Sequence, residues 1–357
     1  MRKLLLKLAL FLPLLLSLLI IQRLAYSSTL FNTAEAVISK AWLNEENIAF
    51  TFDYDDRVTH KYYIKNNNRK KDVIIFGSSR SAKINNNFFP KKSFFNHNVT
   101  GAELEDYISI YQLYRAKKNM PATVVFGLDP WILDSKNGKP KRWLDLHKEF
   151  YELAGAFPFP RDPKIALWYL GERLKAPFSI PHFQYSIKKI AQNILLGRDH
   201  SKYYATSDIE GFLPIVHADG SIADSLKIRS KSSEQVALEI QALPSKCPTV
   251  LKNTLSKEKQ FLFINFLKIL KEDNVKIIFL LPPFHPLAYN EITSNPQCHL
   301  SIEAETYFRD IAQENNIQIL GSYNPNIYSL QDAYFYDSIH PKQAALEVIF
   351  KKEGLIK

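Results

Sequence analysis

Two parts of the chain alternate short apolar runs of strand type with amphipathic segments of helix type. The strands predicted from these runs are 72–76, a short one around 94–95, 122–127, 275–281 and 317–320. The predicted helices are 258–271, 302–313 and 342–352, with a further helix that begins near residue 100. Strands and helices that alternate in this way are typical of right-handed crossovers and a parallel sheet. We therefore expect an α/β fold in which both parts of the chain build one sheet.

The helix near residue 100 has its own start signal. Thr100 can cap the helix, and Glu103 follows three residues later, which is the spacing of a capping box. The apolar residues behind this signal recur at helical spacing and are Leu104, Ile108, Tyr111 and Tyr114.

Composition changes along the chain indicate its domains. Residues 72–130 and 256–357 contain the strand and helix pattern and are predicted to form the α/β domain. Residues 131–255 are rich in aromatic residues and proline, and we expect an insertion that lies over the carboxyl edge of the sheet, where α/β folds bind ligands. Residues 24–71 are a polar approach segment, for which we predict a helix near 33–42 and then a loosely structured link.

The amino terminus contains the longest apolar stretch. Residues 4–21 are almost entirely apolar, and as a helix they would span about 27 Å, close to the ~30 Å hydrocarbon core of a bilayer. Basic residues at positions 2, 3 and 7 keep the amino end in the cytoplasm by the positive-inside rule. We expect residues 1–23 to be an uncleaved signal anchor, and a signal peptide cleaved near Ala25-Tyr26-Ser27 is the alternative. In both cases the rest of the chain works in the periplasm or outside the cell.

The positive charge of the chain does not favour nucleic acid as a partner. The net charge of +10 lies in small clusters such as Arg69-Lys70-Lys71, and we find no recognition-helix signature. Such a pattern is typical of solvated lysines on a protein that works near anionic envelope polymers or lipid headgroups.

Cys247 and Cys298 are the only two cysteines. In an exported protein they could form a disulfide, which would stabilise the fold by roughly 4 kcal/mol, but the sequence leaves this pairing open. Neither has a second Cys or His at the two- to four-residue spacing of a zinc motif, and the chain has no glycine-rich phosphate loop. We therefore expect no metal and no nucleotide cofactor.

Two short motifs contain candidate chemistry. Ser79 lies in Phe76-Gly77-Ser78-Ser79-Arg80, where the first predicted strand breaks into a turn. Asp337 and His340 stand three residues apart in a loop ahead of the last predicted helix. A serine hydroxyl becomes nucleophilic when an imidazole takes its proton and a carboxylate orients that imidazole. Taken singly, the first motif also fits a helix cap and the second an ordinary turn, but together they supply all three groups.

These motifs resemble those of the SGNH/GDSL hydrolase superfamily over roughly residues 72–130 and 256–357. Gly77-Ser78-Ser79 is similar to the first block of that family, with Ser78 in place of the usual Asp. Asn98-Val99-Thr100-Gly101 resembles the second block, and Asp337-Ser338-Ile339-His340 resembles the last. With the amino-terminal anchor, the Gly-Ser-Ser variant is similar to the extracytoplasmic branch that includes the proteins of teichoic-acid D-alanylation and alginate O-acetylation.

The resemblance implies a fold and a set of roles. The fold would be a flavodoxin-like three-layer α/β/α sandwich. Ser79 would be the nucleophile, His340 the base and Asp337 the group that orients His340. The oxyanion hole would be built from the backbone N–H groups of Ser79 and Gly101.

One position departs from the family pattern. Asp129 stands where the third block of the family has an Asn whose amide donates to the oxyanion. A carboxylate there would repel a developing oxyanion unless it is protonated or turned away, so either the backbone donors suffice or Asp129 has another role. Three further residues could line the site. Arg80 could offset a negative charge, bind an anionic substrate or simply lie exposed; Asn98 belongs to the second block; and His285 either faces the site or is a hydrogen-bonded loop histidine.

The motifs and the amino-terminal anchor predict a membrane-anchored serine esterase or acyltransferase. The resemblance implies that it acts on acyl esters, above all acetyl esters, of cell-envelope polysaccharide or another glycan, as an esterase or an O-acyltransferase. A polytopic membrane acyltransferase is a candidate partner. One alternative is a catalytically weak SGNH-like scaffold that binds glycan or such an acyltransferase. Another is an exported binding protein in which both motifs are coincidental. The sequence leaves hydrolysis and transfer equally open.

Overall fold

A parallel sheet of five strands forms the centre of the fold. The computed structural model describes residues 34–49, 54–135, 143–159, 204–205, 213–243 and 249–356, with Pro13 and scattered positions between 165 and 171. Its strands are β1 (Ile48–Ala49), β2 (Val73–Gly77), β3 (Phe94–Asn98), β4 (Thr123–Gly127), β5 (Tyr204–Ala205), β6 (Ile215–Val216), β7 (Ile222–Ala223), β8 (Lys276–Leu281) and β9 (Gln318–Gly321). Its α-helices are α1 (Ala34–Leu43), α2 (Asp56–Asn66), α3 (Leu104–Ala116), α4 (His147–Ala154), α5 (Leu226–Arg229), α6 (Ser233–Gln241), α7 (Lys257–Glu272), α8 (Pro286–Ser294), α9 (Leu300–Glu314) and α10 (Gln343–Lys352).

The central strands lie in the order β3-β2-β4-β8-β9, and every neighbouring pair is parallel. In chain order this is 2-1-3-4-5, the strand order of flavodoxin-like folds. Strands that are covered on both faces have nearly continuous apolar sequences, which explains why the sequence pattern located β2, β4, β8 and β9 within one residue. The short strand predicted around 94–95 extends to Asn98, because the polar residues 96–98 also belong to β3. The predicted α/β class with a parallel sheet is confirmed.

Helices cover both faces of the sheet, and each face has its own apolar core. Phe76, Phe126 and Phe279 from neighbouring strands belong to one core, with side chains of α3, α7 and α9. Val125 and Leu280 belong to the other core, with side chains of α10. The alternation follows from the two-residue period of a strand, which sends successive side chains to opposite faces.

The segment before β2 differs from its prediction. The first helix, α1, was expected, but α2 replaces the predicted loose link. The Asp55 side chain caps α2 by accepting from the Val58 N–H at 3.1 Å, and His60, Tyr63 and Ile64 are buried against the sheet. The buried face is largely aromatic and polar, so the aliphatic pattern that reveals a helix is missing here.

The start of α3 also differs from its prediction. The helix begins after Glu103 rather than after Thr100, and Asp106 accepts from the Glu103 N–H at 2.8 Å. The Thr100 N–H instead donates to Asp56, and the chain turns at Gly101, whose φ of 55° is left-handed. The turn delays the helix by one turn, so the predicted Thr100 cap is wrong.

A second, antiparallel sheet of two-residue strands has the order β5-β1-β6-β7. It pairs Ile48 of the amino-terminal segment with Val216 of the region between the two halves of the central sheet. Within the described residues, no helix is long and apolar enough to cross a membrane. The predicted anchor at residues 1–23 lies, except for Pro13, outside the described residues, and the domain boundaries remain predictions.

Candidate active site

A sharp turn follows β2 and carries Ser79. Ser78 precedes a single 3-10 turn over Ser79–Ser81, and its hydroxyl accepts from the Arg80 N–H at 3.2 Å. The Ser81 hydroxyl donates back to the Ser78 carbonyl at 3.0 Å. Ser79 is the first residue of the turn, so its N–H has no acceptor within that turn. The turn therefore places the half-buried Ser79 at the carboxyl edge of the sheet, with its amide available as a donor.

Two glycines make room for this turn. A Cβ atom on Gly77 would lie 1.8 Å from Ser81 Oγ, and one on Gly127 would lie 3.0 Å from the same atom. Gly77 ends β2 and Gly127 ends the neighbouring β4. Ser81 thus fits into a slot between two strand ends that no larger residue would leave open.

The loop that follows β9 holds the second motif in a tight turn. Asp337 Oδ1 accepts from the backbone N–H groups of Ile339 and His340, both at 2.8 Å. The Tyr336 N–H donates to the His340 carbonyl at 3.0 Å, which closes the loop from the other side. Side chain and backbone together fix the direction of the His340 ring.

The two motifs meet at the carboxyl edge of the sheet. Ser79 Oγ lies 2.8 Å from His340 Nε2, and His340 Nδ1 lies 2.7 Å from Asp337 Oδ2. An ionised carboxylate only accepts, so His340 Nδ1 carries the proton and Nε2 is free to accept from Ser79. Burial raises the pKa of the Asp337 carboxyl, but hydrogen bonds from His340 and from two backbone N–H groups more than offset this, and the pKa lies below its usual range. The arrangement can remove the proton of Ser79 as the hydroxyl attacks.

The second block contributes structure at the end of β3. Gly101 lies in the turn after this strand, and Asn98 is the last residue of the strand. The Asn98 side-chain amide donates to the Gly220 carbonyl at 2.8 Å, and its backbone carbonyl accepts from His60 Nε2 at 2.9 Å. The side-chain NH₂ group and the backbone carbonyl of Asn98 therefore both bind other parts of the protein.

A short hairpin borders the nucleophile turn. It is formed by β6 and β7, and the Ile222 N–H donates to the Ala82 carbonyl at 2.8 Å. Gly220, at φ 79°, lies so close to the sheet that a Cβ atom would come within 2.3 Å of the Asn96 carbonyl oxygen. The hairpin thus packs against β3 and against the residue that follows the nucleophile turn.

Arg80 is completely buried and is not an exposed surface residue. Its guanidinium donates to Asp129 Oδ1 at 2.8 Å, to the Pro282 carbonyl at 2.5 Å and to the Ile339 carbonyl at 2.9 Å. The Phe284 ring lies against the cation, 4.1 Å from the guanidinium carbon to the ring centroid. The prediction that Arg80 offsets a nearby negative charge agrees with this geometry.

Asp129 is the carboxylate that Arg80 neutralises. It is buried, and its Oδ1 accepts from Arg80. Burial raises the pKa of Asp129, and the Arg80 charge and a hydrogen bond from the Ser78 side chain act against that shift. An ionised Asp129 cannot donate a hydrogen bond, so it does not replace the amide of the family pattern.

His285 is a hydrogen-bonded loop histidine beside the site. Its ring Nδ1 accepts from the Leu287 backbone N–H at 3.2 Å, and the His285 backbone N–H donates to the Ser338 carbonyl at 3.1 Å. Nε2 lies 3.5 Å from Asp332 Oδ1, and burial lowers the pKa of the ring. His285 caps α8 and supports the loop that carries His340.

Sequence reasoning missed the roles of Ser81 and of the Ile339 carbonyl. The two strand-terminal glycines, each followed by a polar turn, were a readable signal for a close approach such as that of Ser81. A backbone carbonyl leaves no trace in the sequence, so the contact from Arg80 to Ile339 could not be found there. Among the described parts of the chain, no group of His, Cys, Asp and Glu side chains has the arrangement of a metal site.

Comparisons with known proteins add little to this geometry. No family model matches the sequence, and no curated protein matches it significantly. Among solved structures, a crystal structure from Bacteroides fragilis that is described as a candidate acylhydrolase is similar in outline, with 10% identity and a TM-score of 0.36. The alignment covers 85% of this chain and 98% of the other.

Proposed function

We propose that this protein is a serine esterase or O-acyltransferase of the SGNH hydrolase type, in which Ser79, His340 and Asp337 form the catalytic triad. The observation that carries this proposal is the continuous hydrogen-bond chain from Ser79 Oγ through both ring nitrogens of His340 to Asp337. Its fixed direction is the one that a nucleophilic serine requires.

The geometry supports a two-step acyl transfer. Ser79 Oγ attacks the carbonyl carbon of an ester as its proton passes to His340 Nε2, and the imidazolium is stabilised by Asp337. We assign the oxyanion to the backbone N–H groups of Ser79 and Gly101. The tetrahedral intermediate then expels the alkoxide, which takes the proton from His340 and leaves an acyl-Ser79.

The second step determines the reaction class. Water or a sugar hydroxyl attacks the acyl-Ser79 carbonyl while His340 takes the proton of the attacking group. Water gives a free acid and an esterase, whereas a sugar hydroxyl gives a new ester and an O-acyltransferase. In both cases Ser79 recovers its proton from His340, and the cycle closes.

We further propose that the substrate is an acyl ester, above all acetyl, of cell-envelope polysaccharide or another glycan, and that the protein is held in the cytoplasmic membrane by residues 1–23. The apolar stretch at residues 4–21 and the basic residues before it support an exported domain. Cys298 is disulfide-bonded, which favours an oxidising compartment; Cys247 lies outside the described residues. A polytopic membrane acyltransferase is the partner that we propose for the transfer reaction.

The test uses the full-length protein purified in detergent. We expect release of p-nitrophenol from p-nitrophenyl acetate and covalent labelling of Ser79 by a serine-reactive phosphonate, detected by peptide mass spectrometry. Ser79→Ala and His340→Ala should each abolish turnover. Ser230→Ala, at the C-cap of α5, should leave turnover unchanged. Acetyl transfer to an added oligosaccharide in competition with acetate release separates transferase from esterase.

The Asp129 position favours one alternative function. Because Asp129 is bound to Arg80, the site lacks a side-chain donor where the family pattern has one. Loss of one such donor costs about 2.7–4 kcal/mol of transition-state stabilisation in other hydrolases. A scaffold that binds glycan or a membrane acyltransferase without turnover would fit this loss. Wild-type protein that binds oligosaccharide but is neither labelled at Ser79 nor active on acetyl esters would establish that alternative.

A further inference from the structure

The Arg80 side chain joins its own segment of the site to three others. Arg80 itself belongs to the nucleophile turn, Asp129 follows β4, Pro282 follows β8, and Ile339 lies in the loop that holds His340. These segments are brought together only by the fold. The side chain that joins them is adjacent in sequence to Ser79.

We propose that Arg80, with Asp129 as its counter-ion, is a positioning residue that fixes the His340 loop relative to the nucleophile turn. The inference rests on the proposed function, because it assigns Arg80 and Asp129 a task in the same triad. Its geometric basis is the contact from Arg80 Nε to the carbonyl of Ile339, the residue directly before His340.

This contact complements the hydrogen bonds within the loop. Asp337 holds the loop backbone through the N–H groups of Ile339 and His340. These bonds define the shape of the loop, but they do not define its distance from Ser79. Arg80 supplies that constraint because its backbone belongs to the nucleophile turn and its guanidinium is anchored on the far side of the site.

The charge of Arg80 explains why an Asp stands at position 129. A buried guanidinium stays protonated, and it is stable only with a partner that carries the opposite charge. Asp129 supplies this charge, and the rings of Phe284, Trp131 and Tyr323 lie within 4.1, 5.7 and 5.8 Å of the guanidinium carbon. An Asn at this position would leave the cation uncompensated.

Arg80→Lys is the first variant, because it keeps the charge and loses the planar fork that reaches three acceptors. We expect kcat on p-nitrophenyl acetate to fall by about 10–100-fold, since a misplacement near 1 Å costs up to about 10²-fold, while KM changes by less than about threefold. Amide hydrogen exchange of the peptide 335–342 should accelerate at least about tenfold. Arg115→Lys is the matched control. Arg115 also pairs with an aspartate, Asp273, but it lies in the last turn of α3 and not in the candidate site.

The double variant Arg80→Met/Asp129→Leu separates positioning from stability. Replacing a buried ion pair by apolar side chains is often neutral or stabilising, so this variant should fold with a melting temperature near that of the wild type. Its Ile339 carbonyl still lacks the Arg80 donor. We therefore expect kcat to stay low and exchange at 335–342 to stay fast although the fold is stable.

The outcomes are distinguishable. Fast exchange at 335–342 in Arg80→Lys, absent from Arg115→Lys, supports the positioning role. Unchanged exchange in Arg80→Lys, or recovery of kcat in the stable double variant, overturns it. Fast exchange in Arg80→Lys combined with an inactive, unlabelled wild type supports the positioning of the His340 loop by Arg80 and overturns the proposed function.

Discussion

Asp337 serves the backbone and the His340 ring with different oxygens. Oδ1 accepts two backbone N–H groups, while Oδ2 accepts His340 Nδ1. One carboxylate therefore sets both the shape of the loop and the tautomer of the base. The spacing of three residues between Asp337 and His340 allows one carboxylate to reach both the loop backbone and the ring.

Asp337→Asn should lower kcat by about 10⁴-fold, the size of the effect measured for the equivalent change in serine proteases. The amide oxygen of Asn can keep the two backbone bonds, but its NH₂ would donate to His340 Nδ1 and force the proton onto Nε2, where Ser79 needs an acceptor. Steady-state kinetics on p-nitrophenyl acetate measure the effect. Asp332→Asn is the control, because Asp332 faces His285 rather than the triad. A loss of less than about tenfold in Asp337→Asn would contradict the assignment.

Single residues were predictable from the sequence where the signal is local. Ser79, Asp337 and His340 stand in short motifs, and the structure brings them within hydrogen-bond distance. The pairing of Arg80 with Asp129 could not be predicted, because it joins residues 49 apart through the fold. From the sequence, an arginine beside a turn serine is equally compatible with solvent and with a buried ion pair.

Strands and helices were predictable in proportion to their apolar pattern. The five central strands have buried side chains on both faces, and each was located within a few residues. The strands of the small sheet are two residues long, which is too short for any period to show. The helix α2 was not predicted, because His60 and Tyr63 take the place of aliphatic residues on its buried face.

The junction of β2 with its turn is the element most sensitive to added volume. Gly77→Ala would place a methyl group 1.8 Å from Ser81 Oγ and 2.9 Å from Ser81 Cβ. We expect the variant to lose about 1–3 kcal/mol of unfolding free energy, as overpacked cores do, and to lose kcat because the turn carries Ser79. Urea denaturation and ester kinetics measure the two effects.

Gly171→Ala is the matched control for Gly77→Ala. Its added Cβ would meet no heavy atom within 4 Å, so stability should not fall. The double variant Gly77→Ala/Ser81→Gly removes the side chain that clashes and should recover part of the lost stability. Equal stability of Gly77→Ala and the wild type would mean that the turn is looser than described.

Behind the site, a buried polar chain crosses the molecule. His60 Nε2 donates to the Asn98 carbonyl at 2.9 Å, so His60 Nδ1 is an acceptor. His97 Nδ1 then donates to His60 Nδ1 at 3.1 Å, and His97 Nε2 accepts from the Tyr114 hydroxyl at 2.7 Å. Every proton of the chain has one place when both rings are neutral. A second proton on the His60 ring would leave two N–H groups facing each other, and a second proton on the His97 ring would remove the acceptor of the Tyr114 hydroxyl.

From these buried, neutral histidines we predict that the protein loses stability in acid. Burial lowers the pKa of His60 to about 4 and the pKa of His97 well below its ordinary value. In the unfolded chain these rings titrate near pH 6.5, so the unfolded state binds more protons between pH 6.5 and 4. The unfolding free energy should therefore fall with pH through this window, by on the order of 3 kcal/mol from His60 alone. Urea denaturation at pH 7, 6, 5 and 4.5 measures this slope.

His60→Gln tests the source of the acid sensitivity. A Gln amide can donate to the Asn98 carbonyl but takes up no proton in this range, so the slope of stability against pH should become shallower. His299→Gln, at the partly exposed start of α9, should leave the slope unchanged. An identical slope in His60→Gln and wild type would show that other groups cause the acid sensitivity.

The distance along the chain between Ser79 and His340 has a consequence for biosynthesis. The two residues are 261 positions apart, and the loop with Asp337 and His340 comes directly before the last helix, α10. A ribosome delivers the chain from its amino end, so Ser79 is synthesised long before Asp337 and His340. Under the proposed function, a nascent chain therefore carries an unactivated alcohol until the final part of the protein has been made.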